Sequence, residues 1–86
     1  MAEIEHAVFT VAKLARYGCV VYNFKEREIV VFYEAESDLN EGEARKVLAK
    51  FLPKYMLPNR FNRVQSMPRN GAGKIDRAFL NKQVNV

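Results

Sequence analysis

Two short runs rich in β-branched and aromatic residues, 19–24 and 29–35, flank four charged residues, 25–28. Runs of this length and composition are typical of β-strands, and a short polar link between them predicts an antiparallel hairpin. A chain of 86 residues makes one domain at most. We therefore expect the fold to be organised around this hairpin.

Apolar residues recur with helical spacing in three other segments and alternate weakly in a fourth. Helices are predicted over 3–15, 41–52 and 76–83, and a short strand over 61–67. Asn40, with Glu43 three residues later, resembles a capping box at the start of the second helix, and Pro53 ends that helix. The predicted fold is α+β: a small β-sheet, made of the hairpin plus a short strand, is covered on one face by about three helices. We expect residues 1–86 to form a single domain.

The same spacing predicts which side chains are buried. The apolar stripe of the first helix comprises Ile4, Ala7, Val8, Val11, Ala12 and Ala15. In the last helix, Phe79 and Leu80 are expected to face inward. Glu3 and Glu5 are interpreted as solvated charges that suit the start of a helix, and Cys19 as a small hydrophobic residue within a strand.

Several protein classes are excluded by what the sequence lacks. It has no run of 18 apolar residues, which argues against a membrane-spanning helix. Its acidic beginning does not resemble a secretory signal. One Cys and one His argue against a disulfide framework and against a dedicated zinc site, so no metal ligand is assigned. These features favour a cytoplasmic protein.

The charges are distributed unevenly along the chain. Residues 1–43 carry four basic and nine acidic groups, whereas residues 44–86 carry ten basic groups and one acidic group. The net charge of +4 therefore hides a C-terminal half with a net charge of +9. Such a half attracts phosphate groups, although basic residues on a solvated surface would give the same count.

The loop 68–74 has the composition of a phosphate-facing turn. Gly71 and Gly73 leave space for a close ligand, and Lys74 follows them as a compact cation. Backbone amides of Asn70, Gly71 and Gly73 could lie beside that cation. The loop is not a Walker A motif, because Pro68 occupies the position of the first glycine of that motif and Ile75 that of its Ser or Thr.

Three segments together resemble a known family. These are Leu-Pro-Lys-Tyr-Met-Leu-Pro at 52–58, Met-Pro-Arg-Asn-Gly-Ala-Gly-Lys-Ile-Asp-Arg at 67–77, and the opening Glu-Ile-Glu at 3–5. Their order and spacing are similar to those of the C-terminal subdomain of the adenylate-forming superfamily. Its members include acyl-CoA synthetases, the adenylation domains of nonribosomal peptide synthetases, and D-alanine–carrier protein ligases. The resemblance spans nearly the whole chain.

The resemblance implies a role for the loop. The family uses ATP and Mg²⁺ to join a carboxylate to AMP, and then passes the acyl group to the thiol of CoA or of a phosphopantetheinyl carrier protein. Lys74 matches the catalytic lysine of the first step, and Asn70, Gly71 and Gly73 match the loop that faces the nucleotide. The small subdomain acts as a mobile lid on a large N-terminal AMP-binding domain that this chain lacks. We therefore expect no cofactor on the chain alone, and no activity without that domain.

Two other functions remain open from the residues themselves. A basic α+β domain could be a nucleic-acid-binding module, although no signature of an RNA-binding motif is present. It could also be a docking module for an acidic carrier protein, which is compatible with a lid. Within the family, the sequence Gly-Lys-Ile-Asp-Arg at 73–77 favours the branches that activate amino acids.

Overall fold

The two apolar runs pair as predicted in the computed structural model, which describes residues 2–85. Strand β1 (Tyr17–Asn23) runs antiparallel to β2 (Glu28–Glu34), with Val20 opposite Val31. Strand β3 (Arg60–Val64) lies parallel to β2 on its other side. The strand order is β1-β2-β3, so β1 and β3 are the edges of the sheet. The α+β class and the short third strand are thus confirmed.

The first helix differs from the prediction in length and in type. Helix α1 (Ala2–Glu5) continues directly as a π-helical segment, His6–Val11, in which the amide of Ala12 donates to the carbonyl of Ala7 over 2.8 Å. Lys13 then has a positive φ of 51°, which ends the helical course. A π-helix has a wider turn than an α-helix, so the α-helical stripe is not kept. Val11 consequently is 43% exposed rather than buried.

The second helix begins at its predicted cap, and the third begins within one residue of its predicted start. Helix α2 (Glu41–Leu48) starts at Asn40, whose Oδ1 accepts a hydrogen bond from the amide of Glu43 over 3.0 Å. It ends at Leu48 rather than at residue 52, so the prediction that Pro53 ends it is wrong; the amides of Lys50 and Phe51 donate to the carbonyls of Val47 and Leu48 in turns that follow the helix. Helix α3 (Arg77–Val84) starts at Asp76, which accepts from the amide of Phe79. Across the described residues, no helix is both long and apolar enough to span a membrane.

The helices cover both faces of the sheet, so the prediction of a single covered face is wrong. On one face, the first helical segment and α2 bury a cluster that includes Val8, Val20, Val31 and Leu48. On the other face, a second cluster brings Leu80 of α3 against the sheet; its other buried members are Cys19, Val21, Val30, Phe32 and Met67. Successive residues of a strand point to opposite faces. The continuous apolar runs in β1 and β2 therefore require cover on both sides.

Candidate functional site

The predicted phosphate-facing turn is a small closed hairpin, here called the lysine loop (residues 68–76). Arg69 and Ile75 pair across it as an antiparallel bridge. The amide of Asp76 donates to the carbonyl of Pro68 over 2.8 Å, which closes the base of the loop directly before α3 begins. The loop therefore holds its tip in a defined position relative to the helix.

Asn70 organises the tip of the lysine loop. Its Oδ1 accepts hydrogen bonds from the amides of Ala72 and Lys74 over 2.9 and 3.2 Å, in the manner of an Asx turn. Its own amide donates to the carbonyl of Lys74, and its carbonyl accepts from the amide of Gly73. The amides of Asn70 and Gly73 thus donate within the loop, and they are not the exposed donors beside Lys74 that the sequence suggested. These two amides shape the loop.

The two glycines keep the tip open. Gly73 has a φ of +80°, a conformation that L side chains rarely adopt. A β-carbon placed on Gly71 or on Gly73 would meet no other atom within 4 Å. Another surface can therefore approach the backbone closely at this tip.

Lys74 projects from this open tip as an exposed side chain. Within residues 2–85, all four ion pairs use arginine, namely Arg45, Arg60, Arg63 and Arg77. The ammonium of Lys74 is therefore free to meet an anion supplied from outside the chain.

Arg77, three residues after Lys74, joins the loop to the opposite end of the sequence. Its Nη1 and Nη2 donate to the two carboxylate oxygens of Glu5 over 2.6 and 2.8 Å. Its Nη1 also donates to the carbonyl of Val20 over 3.0 Å, while the amide of Val20 donates to Glu5 over 2.8 Å. We call this arrangement of Glu5, Arg77 and the Val20 backbone the edge clamp. It connects α1, β1 and α3.

Comparison with known proteins identifies the relationship. No model of a protein family matches the chain. Zwittermicin A synthase ZmaJ from Bacillus cereus is 47% identical, in an alignment that covers 72% of this chain and 13% of the relative. Gramicidin S synthase 2 from Brevibacillus brevis is 33% identical, covering 93% of this chain and 2% of the relative. The crystal structure of IdnL7 superposes with a TM-score of 0.74 at 32% identity, covering 95% of this chain and 15% of that one.

The chain belongs to the adenylate-forming superfamily. It corresponds to the C-terminal subdomain of that superfamily, as the three matching segments predicted. A fatty acyl CoA synthetase from Mycobacterium tuberculosis has the same fold, with a TM-score of 0.76 at 24% identity over 95% of this chain and 17% of that one. The chain spans only 13% and 2% of the lengths of the two peptide synthases named above. The activities of those whole proteins are therefore considered for this chain only as a proposal.

Glu5 is one part of the site that single residues do not reveal. Glu5 was interpreted as a solvated charge, yet its side chain is only 21% exposed and is held by three hydrogen bonds. The interpretation was wrong because its partner, Arg77, lies 72 positions along the chain. The family pattern was the available signal, since it contains both the Glu-Ile-Glu opening and the arginine that ends the lysine motif.

The edge clamp changes the acidity of its members. Burial by itself raises the pKa of Glu5, but the hydrogen bonds from Arg77 and from the Val20 amide, with the positive charge of Arg77, outweigh burial and lower that pKa below its ordinary value. The hydrogen bond to Glu5 raises the pKa of Arg77 above its usual range. Both groups are therefore held in their charged forms at neutral pH.

Replacing Glu5 with Gln is expected to make the free energy of unfolding depend less steeply on pH in the acidic range. A carboxylate with a lowered pKa stabilises the fold above the pKa of the unfolded group, about 4.3, and this stabilisation is lost as the pH falls through the lowered pKa of the folded state. Urea unfolding at several pH values between about 7 and 3, followed by circular dichroism, measures this slope. Glu3→Gln is the matched control, because Glu3 is exposed. Equal slopes for the two variants would contradict the assignment.

Cys19 offers no nucleophile at neutral pH. It is 2% exposed, and burial raises the pKa of its thiol to about 11. The thiolate is the reactive form of cysteine, so this residue is a core side chain, as its sequence context predicted.

The arrangement of aromatic residues bears on the nucleic-acid alternative. Phe32 and Tyr33 are buried, whereas Tyr17 at the start of β1 and Phe24 just beyond its end are 44% and 69% exposed. Because helices cover both faces of the sheet, residues 2–85 present no open sheet face on which bases could stack. The sheet therefore gives no support to an RNA-binding role.

Proposed function

We propose that this chain is the mobile C-terminal lid of an ATP-dependent ligase that adenylates a carboxylate, and that Lys74 is its catalytic residue. The observation that carries the proposal is the exposed Lys74 at the open tip of a loop with a defined shape, where it takes part in none of the ion pairs found among residues 2–85. Residues 1–86 would act as one domain together with a large N-terminal AMP-binding domain. Membership of the adenylate-forming family supports the use of ATP.

The chemistry explains why a lysine is needed. A carboxylate oxygen attacks the α-phosphorus of ATP, the acyl adenylate forms, and pyrophosphate leaves. Two anions must approach one another, and a positioned cation offsets their repulsion and fixes the geometry of attack. Lys74 would supply that cation, with Asn70 and the two glycines shaping the loop that brings it near the nucleotide.

The donor set of the lysine loop suits an anion rather than a metal ion. Lys74 offers only hydrogen-bond donors, and within residues 2–85 no group of three or more His, Cys, Asp or Glu side chains could hold a metal. We therefore assign no Mg²⁺ ligand to this chain. The Mg²⁺ that accompanies ATP, and the adenine site, would be held by the large domain.

The second step of the proposed reaction transfers the acyl group to a thiol. CoA and the phosphopantetheine of a carrier protein are the two candidate acceptors. The relatives at 47% and 33% identity are peptide synthases, which supports a branch that activates amino acids and a carrier protein as the partner. A cytoplasmic location follows from this proposal.

Pyrophosphate exchange tests the proposal. The 86-residue chain alone is expected to give no ATP–pyrophosphate exchange with any of the twenty amino acids. Added to the large domain of a related peptide synthetase that lacks its own C-terminal subdomain, it is expected to restore exchange with at least one of them, because the low-dielectric site closes only when both parts meet. Exchange by the chain alone, or no stimulation of the large domain, would overturn the proposal.

A further inference from the structure

We propose that the edge clamp positions Lys74, and that Arg77 and Glu5 are therefore positioning residues for the adenylation step. This inference rests on the proposed function only for its catalytic consequence. Its structural part, that the clamp fixes the lysine loop, can be tested on the chain alone.

The clamp uses an edge of the sheet that would otherwise be open. β1 is an edge strand, and the amide and carbonyl of Val20 point away from its partner β2. Unpaired backbone groups along such an edge require partners. Glu5 accepts from the amide and Arg77 donates to the carbonyl, so the two side chains replace a neighbouring strand at this point. Arg77 is thereby fixed to the backbone of β1.

The lysine loop is held to β1 at a second point. The guanidinium of Arg69 lies over the ring of Tyr17, 5.5 Å from its centroid, and Tyr17 is the first residue of β1. Arg69 also donates to the carbonyl of Gly73 over 3.3 Å. Arg69 lies on the first arm of the loop and Arg77 directly follows its second arm, so Lys74 lies between two attachments to one strand. These contacts hold the backbone at Lys74 in place, so the point from which its side chain extends is fixed.

Glu5 has a second effect, which is electrostatic. It neutralises Arg77, whose side chain remains 54% exposed, so the guanidinium does not compete for the phosphate that Lys74 is to meet. The bidentate geometry explains why this position suits arginine, since a lysine ammonium cannot bond both carboxylate oxygens and the Val20 carbonyl in one plane.

Hydrogen exchange on the chain itself tests the structural part. In Arg77→Gln, the amides of Ala72 and Lys74, which donate to Asn70, are expected to exchange at least about tenfold faster, while that of Val31 in the central strand keeps its protection. Arg60→Gln is the matched control, because Arg60 also pairs with a glutamate, Glu28, but lies on β3. Unchanged exchange in the lysine loop of Arg77→Gln, or equal acceleration in Arg60→Gln, would overturn the inference.

A double-mutant cycle tests the catalytic part in the complex with the large domain. Arg77→Gln is expected to slow pyrophosphate exchange by about tenfold to a hundredfold, and to change acyl transfer from a supplied adenylate by less than about twofold. In a Lys74→Ala background, Arg77→Gln is expected to cause no further loss, because it acts through the lysine. Additive losses, or equal losses in both half-reactions, would show a purely structural role.

Two further measurements distinguish failure of this inference from misfolding of the variant and from failure of the proposed function. If Arg77→Gln fails to fold, Arg77→Lys takes its place, because lysine keeps the charge but not the bidentate bond. Arg77→Lys is then expected to slow pyrophosphate exchange to the same extent and to leave acyl transfer unchanged. Full pyrophosphate exchange in that variant would overturn the inference. If Lys74→Ala has no effect on pyrophosphate exchange, the proposed function fails, and hydrogen exchange alone then decides whether the clamp fixes the loop.

Discussion

Replacing Lys74 with alanine is expected to lower the rate of adenylate formation by about a hundredfold to a thousandfold in the complex with the large domain. This is the range seen when one preorganised electrostatic group is removed from an active site. The exposed position of Lys74 predicts no loss of folding stability, since truncating a surface side chain changes stability by only about 0.5 kcal/mol. The loss would therefore belong to chemistry rather than to folding.

The two half-reactions separate this role from a general binding effect. Pyrophosphate exchange measures adenylation, and transfer from a chemically supplied acyl adenylate to a thiol measures the second step. Lys74→Ala is expected to damage the first far more than the second, because the family resemblance implies that the mobile lid takes a second pose for thiol transfer, in which the lysine is withdrawn. Lys82→Ala is the control, since Lys82 is also an exposed lysine and lies on α3. Equal losses in both steps would refute the assignment of Lys74.

Local features of the fold were predictable because their causes are local. The caps at Asn40 and Asp76 lie within three residues of the amides that they bind. The hairpin follows from two strand-like runs that are adjacent in sequence. Such features need no knowledge of the tertiary structure, and the structure confirms them.

The predictions that failed depend on features that the spacing of apolar residues does not describe. Val11 was placed in an apolar stripe by α-helical spacing, and the π-helical turn moves it to the surface. The second covered face of the sheet depends on where α3 packs. This helix begins 43 positions after the end of β2, and the spacing of apolar residues within α3 does not predict its position. Periodicity describes one element at a time, so it could not decide how the elements are arranged around the sheet.

The candidate site likewise has one part that the sequence predicted and another that only the structure shows. Lys74 was found because the motif around it resembles a family pattern. The sequence pattern did not predict that Asn70 accepts hydrogen bonds from amides of the loop. It also did not predict the hydrogen bonds between Arg77 and Glu5, which depend on the tertiary structure. A motif thus located the reactive group, and the structure supplied the contacts that hold it in place.

Two neighbouring residues of α3 should differ sharply when each is changed to alanine. Leu80 is 2% exposed and packs in the second cluster, against the sheet, whereas Phe79 is 48% exposed although its spacing also predicted burial. Leu80→Ala is expected to lower the free energy of unfolding by about 2–5 kcal/mol, which is the usual effect of removing a buried leucine. The surface change Phe79→Ala is expected to cost about 1 kcal/mol or less.

Urea unfolding of both variants and the parent chain measures this difference through the transition midpoints. A domain of this size has a total stability of about 4–13 kcal/mol, so Leu80→Ala could remove half of it. Leu80 lies three residues after Arg77 on the same helix, and loosening α3 would also loosen the edge clamp. Leu80→Ala should therefore raise hydrogen exchange in the lysine loop as well, whereas Phe79→Ala should not. Equal destabilisation by the two variants would contradict the packing of Leu80 against the sheet. It would also contradict the view that this packing of α3 supports the edge clamp.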